Sequence, residues 1–558
     1  MDQRRVLLAF LLMAAVLVAS QWWYARIGPP PDESAPADSA GPGSTNIVVD
    51  SAARSRNRTA REDAPKDSVS ALVRDAAAAG SSPTVEDSVA ASPIIVETPL
   101  YRLSIDPRGG TIRGIQLLRY PSYTLAGPVE LIPSGAEFLS RVADLGEQSV
   151  AIDDYRYVPS DAAIRLRAGD SARVLTLTSE HAGGRIVQSY RFDPESYAID
   201  YRLDLGQPAD GVLVTGIGPR LRSNEKNQQD DYGQLRAVAR VDGEILARQA
   251  KNIDEGEAVA LGGPIDWAGF RNKYFLAMVL APAGGPQLSA VSMAGTAGDS
   301  LPSIAVAIGA PIEQGRSLYR LYLGPQEYRR LAALNDGLDG VNQYGWSWIR
   351  WMITPFAQLI VVIMLWLHRF IPSYGPVLIV FAVLVRIIMW PLTTKSFHSI
   401  RAMQALQPEI QRIRERHKSD PQKMQQETMR LYKERKVNPM GGCLPNLIPM
   451  PILFALFFVF QSTIEFRGAP FLWLPDLSQP DPIYILPVLM GLTMMASTKL
   501  TATDPKMAAM TYVMPIVLTF VFLNLAAGLV LYYAISNVLT FAQQWWLKQS
   551  VADALDEA

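Results

Sequence analysis

The sequence has very little cysteine and histidine. Cys443 is the single thiol in 558 residues, which excludes an intramolecular disulfide framework and any multi-cysteine zinc or iron–sulfur centre. Four histidines, His181, His368, His398 and His417, are scattered too widely to suggest a shared metal site. A glycine-lysine phosphate-binding loop is missing too, so no nucleotide or other cofactor is expected. Nor is there an excess of one charge: 52 Lys and Arg stand against 53 Asp and Glu, and bulk charge does not point to nucleic acid. Charged residues make up only 19% of the chain, below the roughly 25% of ordinary soluble proteins, and mean hydropathy is slightly positive at +0.09. These averages hide stretches of very different character.

Arg4 and Arg5 precede an apolar run from Val6 to Ala19, followed by Trp22, Trp23 and Tyr24. The small residues around Ala19 and Ser20 fit a cleaved signal peptide. The aromatic group instead lengthens the segment to about twenty residues and looks like an interfacial belt, which favours a retained transmembrane anchor, residues 1–27, starting in the cytoplasm. Residues 28–92 are rich in Pro, Ala, Ser, Asp and Gly and cannot bury enough apolar surface to offset chain entropy, so they read as a disordered linker. Between residues 93 and 335 the pattern changes to short alternating runs, such as those starting at Tyr101, Arg185 and Ala198, punctuated by Gly-Gly and Asp-Gly turns. That is a large all-β domain, expected as a sandwich. Its lack of disulfides does not argue against export, because a core of this size needs no staples.

From Asp339 to Leu547 the chain is strongly apolar with one basic interruption. Candidate spans are 374–393, 441–463, 482–499, 507–524 and 527–546, six with the first anchor. The basic loop between residues 395 and 440, with Arg412, Arg414, Arg416, Lys433 and Lys436 among its cations, belongs in the cytoplasm by the positive-inside rule. That placement allows one span between the β domain and the loop. The apolar stretch from Trp346 to Phe370 is therefore read as an interfacial amphipathic helix within 340–372, with Ser347, Arg350, Thr354 and Gln358 as its polar stripe. Within the basic loop, Ser396–Lys418 and Pro421–Lys436 lack glycine and favour helix, which gives an antiparallel hairpin over 396–437. Asp420-Pro421 supplies its second N-terminus, and Met403, Leu406, Ile410 and Ile413 are expected to face Met424 and Leu431. A solvated face explains most of its charges; contact with anionic lipid, ribosomal RNA or an acidic partner would be an addition.

Arg386 stands alone inside the span at 374–393. An arginine at that depth costs about 2.5–3.5 kcal/mol on insertion scales and normally faces a bundle interior or a hydrated cavity, although a long side chain can also snorkel. The other spans offer no Asp or Glu, the nearest being Glu465 at the far end of its own segment. Given the span directions, Asn446, Ser497, Thr498, Thr511, Tyr512, Asn537, Thr540 and Gln543 all fall in cytoplasmic halves. They would form a hydrated recess, open to the cytoplasm, with Arg386 as its positive focus. Such a recess shortens the apolar barrier that a hydrophilic segment of another protein must cross. Met389, Trp390, Tyr532 and Tyr533 would line a slide for an incoming apolar helix, or simply pack the bundle.

The stretches Val385-Arg386-Ile387-Ile388-Met389-Trp390-Pro391, Leu406-Gln407-Pro408-Glu409-Ile410, Asn438-Pro439-Met440-Gly441-Gly442-Cys443, Asp481-Pro482 and Gly528 through Tyr532-Tyr533 to Asn537 occur in this order. Together they resemble the YidC/Oxa/Alb family of membrane protein insertases in its Gram-negative form. The resemblance covers nearly the whole chain. It implies a five-span insertase core over 373–548, a periplasmic β-supersandwich, and a short acidic cytoplasmic tail at 549–558. A substrate groove is implied around Arg386, Asn446, Ser497, Thr511, Tyr532, Tyr533 and Asn537, and the hairpin cations at Arg412, Arg414, Arg416, Lys433 and Lys436 are implied to matter. Implied partners are nascent membrane proteins, the Sec translocon, the ribosome, the signal-recognition receptor and anionic lipids, in the bacterial inner membrane with both termini cytoplasmic.

The family's outer domain resembles sugar-mutarotase folds. His181 is the only histidine in that region and such chemistry typically needs a histidine general acid, so no enzyme activity is expected. The chain departs from the family pattern in its acidic tail, in Ala382 where a polar threonine is common, and in Trp390 where tyrosine is usual. Two other classes of function remain open: a secondary transporter using Arg386 for an anionic solute, disfavoured by the lack of repeat halves and of a coupling carboxylate, and an anchored scaffold whose β domain carries the function.

Overall fold

A computed structural model describes residues 92–556 apart from 134–137, 147, 182–183, 254–257, 296–300, 335–336, 346–348, 418–419, 436, 438–449 and 502–507. The N-terminal anchor, most of the linker, Asn446, Lys436 and the side chain of Thr511 therefore lie outside the described residues. The chain divides into two compact units, one carrying the strands and the other beginning at Asn342.

The first unit is a five-stranded sheet and a fourteen-stranded sheet. Their strands run from Ile94 to Pro325. Alternation drives strand formation here as expected: in Tyr101–Asp106 the residues Tyr101, Leu103 and Ile105 are buried, while Arg102 between them is exposed. Gly184–Phe192 pairs antiparallel with Arg173–His181 on one side and Ala198–Asp204 on the other, with Ile186, Tyr190 and Phe192 turned inward. Phe275–Leu280 is buried at every position, the signature of a strand covered on both faces. Gly269 in the neighbouring strand packs against Ala277 and Met278, and a Cβ would collide with that backbone. Two short helices, α1 (Gln228–Gly233) and α2 (Tyr328–Ala333), complete the unit.

The second unit is helical: α3 (Arg350–His368), α4 (Tyr374–Ala405), α5 (Gln407–Arg416), α6 (Pro421–Glu434), α7 (Met450–Ser462), α8 (Ile485–Thr501), α9 (Ala508–Phe522) and α10 (Ala527–Asp556). Among the described residues, α3 and α4 are long and apolar enough to cross a membrane, and the apolar parts of α7, α8 and α9 are shorter. α10 packs on α8 and α4, α3 on α7 and α4, and α8 on α9. Small residues allow the closest approaches. Gly491 lies against Thr519, and Gly528 against the Phe460 ring.

The hairpin differs from the expectation at its start. Helix α4 runs unbroken for 32 residues to Ala405, and the chain breaks at Leu406 instead of near Ser396. No glycine or proline separates Pro391 from Pro408, so nothing stops the span's helix from continuing. Pro408 then occupies the first turn of α5, where its missing N–H costs nothing. Leu406 and Ile410 pack with Leu431, flanked by Ile413, Tyr432 and Val437. Arg435 bridges the arms to Glu409 at 2.8 Å. The Asp420 carboxylate accepts the Lys423 N–H and caps α6.

Of the polar stripe, Ser347 lies outside the described residues, and Arg350, Thr354 and Gln358 do not form a separate solvent-facing side on α3. The Thr354 hydroxyl donates to the Tyr344 carbonyl at 3.2 Å, Arg350 and Gln358 are half-buried, and the exposed side chains are apolar, among them Trp351, Leu359 and Trp366. A hydroxyl in a helix satisfies itself on nearby backbone, so it needs no water face.

Candidate functional site

Arg386 lies about three turns into α4, half-buried, between the exposed side chains of Ile387 and Ile388 and the bundle. Its guanidinium donates to the side-chain oxygen of Gln543 on α10. The same oxygen accepts from the Thr393 hydroxyl at 3.1 Å, and the Gln543 amide nitrogen donates to Thr394 Oγ1 at 3.2 Å. Gln543 is 3% exposed, and both ends of its amide are engaged. Thr393 and Thr394 fall on the turn after Pro391; the single Thr393 proton is shared between the Gln543 oxygen and the Met389 and Trp390 carbonyls, and Thr394 donates to the Trp390 carbonyl. Pro391 has no N–H and so frees the Ile387 carbonyl, while the two threonine hydroxyls bond back to carbonyls three and four residues earlier, as hydroxyls in helices commonly do.

Around this polar knot the surface is aromatic. Tyr532 is buried on α10, eleven residues before Gln543 and so on the same helix face, with its ring 5.9 Å from Phe381 and 6.0 Å from Tyr533. Tyr533 meets Phe522 edge-on at 5.2 Å, and Trp390 lies 6.1 Å from Trp546. Ser497 on α8 is buried. Asn537 is half-exposed on a different face of α10 from Gln543, and its amide nitrogen has no hydrogen-bond partner. Arg386 thus meets Gln543 and not Asn537. Gln543 was visible in the sequence as one of several polar residues near the cytoplasmic end. The usable signal was its eleven-residue spacing from Tyr532.

In the hairpin, Arg412, Arg416 and Lys433 are exposed, and Arg414 is half-buried. Arg430 pairs with Glu434 at 2.8 Å on the surface, a contact of small energetic weight.

The strand unit holds two buried polar clusters. Arg141, its side chain fully buried, binds Asp153 at 2.8 Å, Gln188 at 2.7 Å, Tyr190 at 2.6 Å and the Gly109 carbonyl at 2.8 Å. The His181 ring lies tilted against Tyr155 with ring centroids 4.7 Å apart, at the end of its strand. Among the described residues, no group of three or more His, Cys, Asp or Glu side chains is placed to hold a metal ion.

The second cluster surrounds Asp231 on α1, which accepts from the Asn272 amide at 3.2 Å and the Lys273 backbone N–H at 3.1 Å. Burial, reinforced by the Glu225 carboxylate, pushes its carboxyl up to about 7. A carboxyl with a raised folded-state value binds its proton more tightly when folded. Its contribution is therefore most favourable below the unfolded value near 4 and is lost as pH rises to about 7. Asp231→Asn is expected to flatten that part of the unfolding profile, by at most about 1.4 kcal/mol per pH unit. Denaturant unfolding at several pH values between 4 and 8 measures it, and an unchanged slope would contradict the assignment.

Comparison with known proteins adds decisive information. Over 569 residues the chain is 32% identical to the membrane protein insertase YidC of Syntrophus aciditrophicus, covering 98% of this chain and 99% of that relative. The chain belongs to the YidC family of membrane protein insertases. A YidC insertase of Geobacter metallireducens is 30% identical over 99% of both chains. Residues 366–554 of this insertase match the family described as 60Kd inner membrane protein, and residues 93–359 match the one described as YidC periplasmic domain. It is an inner-membrane protein whose work is the insertion of membrane proteins. Among solved structures it is similar to an active YidC insertase crystal structure, with TM-score 0.35 and 17% identity over 85% of this chain and 97% of that one. It is also similar to a galactose mutarotase-like protein from Lactobacillus casei, with TM-score 0.29 and 12% identity over 42% of this chain and all of that one.

Proposed function

We propose that this insertase receives the hydrophilic tail of a client in an inner-leaflet groove centred on Arg386 and releases the following apolar segment sideways into lipid. The observation that carries this reading is the neutrality of the arginine's partner. Gln543 accepts one hydrogen bond from the guanidinium without cancelling its charge, Arg386 Nε has no hydrogen-bond partner, and among the described residues no carboxylate pairs with the arginine. A cation held in place yet uncompensated attracts a carboxylate more strongly at low dielectric than it would in water. The exposed Ile387 and Ile388 beside it offer an apolar exit.

In the same reading the chain spans the membrane six times, with a five-helix core, a periplasmic strand unit and both termini in the cytoplasm. α3 lies along the outer membrane surface, because counting it as a span would carry the basic hairpin outside. Tyr532, Tyr533, Ser497, Asn446, Thr511 and Asn537 line or border the groove. The exposed hairpin cations favour contact with anionic lipid or an acidic partner surface. The Sec translocon, the ribosome and the signal-recognition receptor are further partners consistent with the family. Energy for insertion comes from partitioning of the client's apolar segment, from the membrane potential or from a partner.

The test is reconstitution into liposomes with a small single-span client, scored by protease protection of the client. The full chain is expected to protect it well above empty liposomes, and a chain lacking residues 94–330 is expected to retain most of that protection. Complete loss on deletion would show that the strand unit carries the function, as an anchored scaffold requires. Protection no better than empty liposomes would defeat autonomous insertion.

A further inference from the structure

The connection between α7 and α8, residues 463–484, is folded inside out. All of its residues are described, and every exposed one up to Ile485 is glycine, proline or apolar. Leu472 is 74% exposed, and Trp473, Ile483, Tyr484 and Ile485 also face outward. Pro470, Pro475, Pro480 and Pro482, which carry no N–H to leave unsatisfied, account for most of the remainder. Most of the polar side chains are buried: Thr463, Arg467, Asp476, Ser478 and Asp481 are each less than one-tenth exposed, while Glu465 and Gln479 are half-buried. Loops in water show the opposite arrangement, because burying a charge or hydroxyl costs free energy and exposing leucine gains none.

The backbone is closed on itself as well. Phe471 and Leu474 exchange both N–H···O bonds at 2.9 Å, which leaves Leu472 and Trp473 at the tip. Leu477 N–H donates to the Ala469 carbonyl at 2.9 Å, and the carbonyls of Gln479 and Leu477 accept from Ala527 and Gly528 at the start of α10. Asp481, 1% exposed, caps α8 by accepting from the Ile483 and Leu486 N–H groups, and it also takes the Trp473 indole N–H at 3.2 Å. An irregular segment with most of its polar side chains turned inward, only Glu465 and Gln479 being half-buried, is the kind of non-helical backbone that membrane depth tolerates. Its apolar exterior runs on without a break into the exposed Val488, Leu489 and Leu492 of α8.

We infer that this connection lies in lipid, with Leu472, Trp473, Ile483 and Tyr484 immersed among acyl chains as an apolar cap on the end of the bundle. That end is the one opposite Gln543. Phe471 packs on Gly375 of α4, about 16 Å along the helix from Arg386. Immersion of the cap keeps water away from the polar knot on that side, so the bundle is wet from one end only. The occupant is lipid and not a protein partner, because the exposed surface is uniformly apolar, carries no charge to set a register, and continues the helix face that lipid must already cover.

The inference rests on α8 being a membrane-embedded helix, and the experiment separates the two. In a Cys443→Ser background, nitroxide labels are placed by Leu472→Cys, Leu492→Cys and Val158→Cys, one at a time, in the full chain reconstituted into phosphatidylethanolamine–phosphatidylglycerol vesicles. Collision rates with oxygen and with a water-soluble nickel chelate are then measured. The label at 472 is expected to match that at 492, with an oxygen-to-nickel ratio severalfold above that at 158, an exposed strand position. Nickel access at 472 with oxygen preference at 492 overturns the inference alone. Nickel access at both overturns the embedded helix and the inference with it. Protection of 472 from both reagents means protein covers it, which also overturns the inference.

Discussion

Arg386→Ala is expected to reduce insertion of clients with acidic tails about tenfold, the equivalent of about 1.4 kcal/mol, while clients with neutral tails insert at close to the normal rate. The magnitude follows from a single charge pair at partial burial. Full attraction at an effective dielectric near 20 is about 4 kcal/mol at contact, and desolvation of the incoming carboxylate removes much of it. Arg386→Lys keeps the charge but not the planar fork that reaches Gln543, so it is expected to retain most activity. Initial rates of protease protection in liposomes, measured for paired clients differing only in tail charge, give the comparison. Equal rates for wild type, Arg386→Ala and Arg386→Lys on acidic-tailed clients would remove the charge from the mechanism. A uniform loss on both client types would instead show that Arg386 holds the helices together, through its bond to α10.

Arg141→Met is expected to lower the stability of the strand unit by about 3–5 kcal/mol, the usual consequence of removing one partner of a buried ion pair. Arg141 donates to two side chains besides Asp153 and to the Gly109 carbonyl, and its guanidinium lies 5.1 Å over the Tyr201 ring. Methionine fills much of the volume but leaves Asp153, its side chain 23% exposed, without its cation, and leaves the buried Gln188 and Tyr190 short of a donor. Hydrogen exchange of the strands Leu139–Asp144 and Gly184–Phe192 in the full chain would report the loss directly. Insertion of single-span clients should survive it. Unchanged protection in those strands would mean the network adds order without adding stability, as some buried ionic groups do.

How far these features were legible in the sequence varied with how local their causes are. The strands at Tyr101, Gly184 and Ala198 were readable because inward and outward residues alternate within a few positions. The isolation of Arg386 was readable because one charge in an apolar run needs no neighbour to be conspicuous. The start of the hairpin was misplaced because helix-forming composition is continuous across Ser396, and only the geometry of the packed arms puts the break at Leu406. Gln543 was one polar residue among several, and Gln544 beside it has the same chemistry. The packing of α10 on α4 turns one toward Arg386 and leaves the other off that face.

By itself the sequence determined the division into a strand-rich unit and an apolar helical one, the family to which the chain belongs, and the one cation that an apolar segment must accommodate. Each follows from transfer free energy or pattern within a short window, and such terms act before any tertiary contact forms. The tertiary structure alone decided that Arg386 is held by an amide and not an acid, that Arg141 is sealed inside the strand unit, and that the loop after α7 turns its charges in and its leucine and tryptophan out. Those outcomes depend on which distant segments meet. Pairing across 157 residues, as between Arg386 and Gln543, is set by packing of whole helices; the eleven-residue spacing from Tyr532 marks a face of α10 but not the partner that face meets.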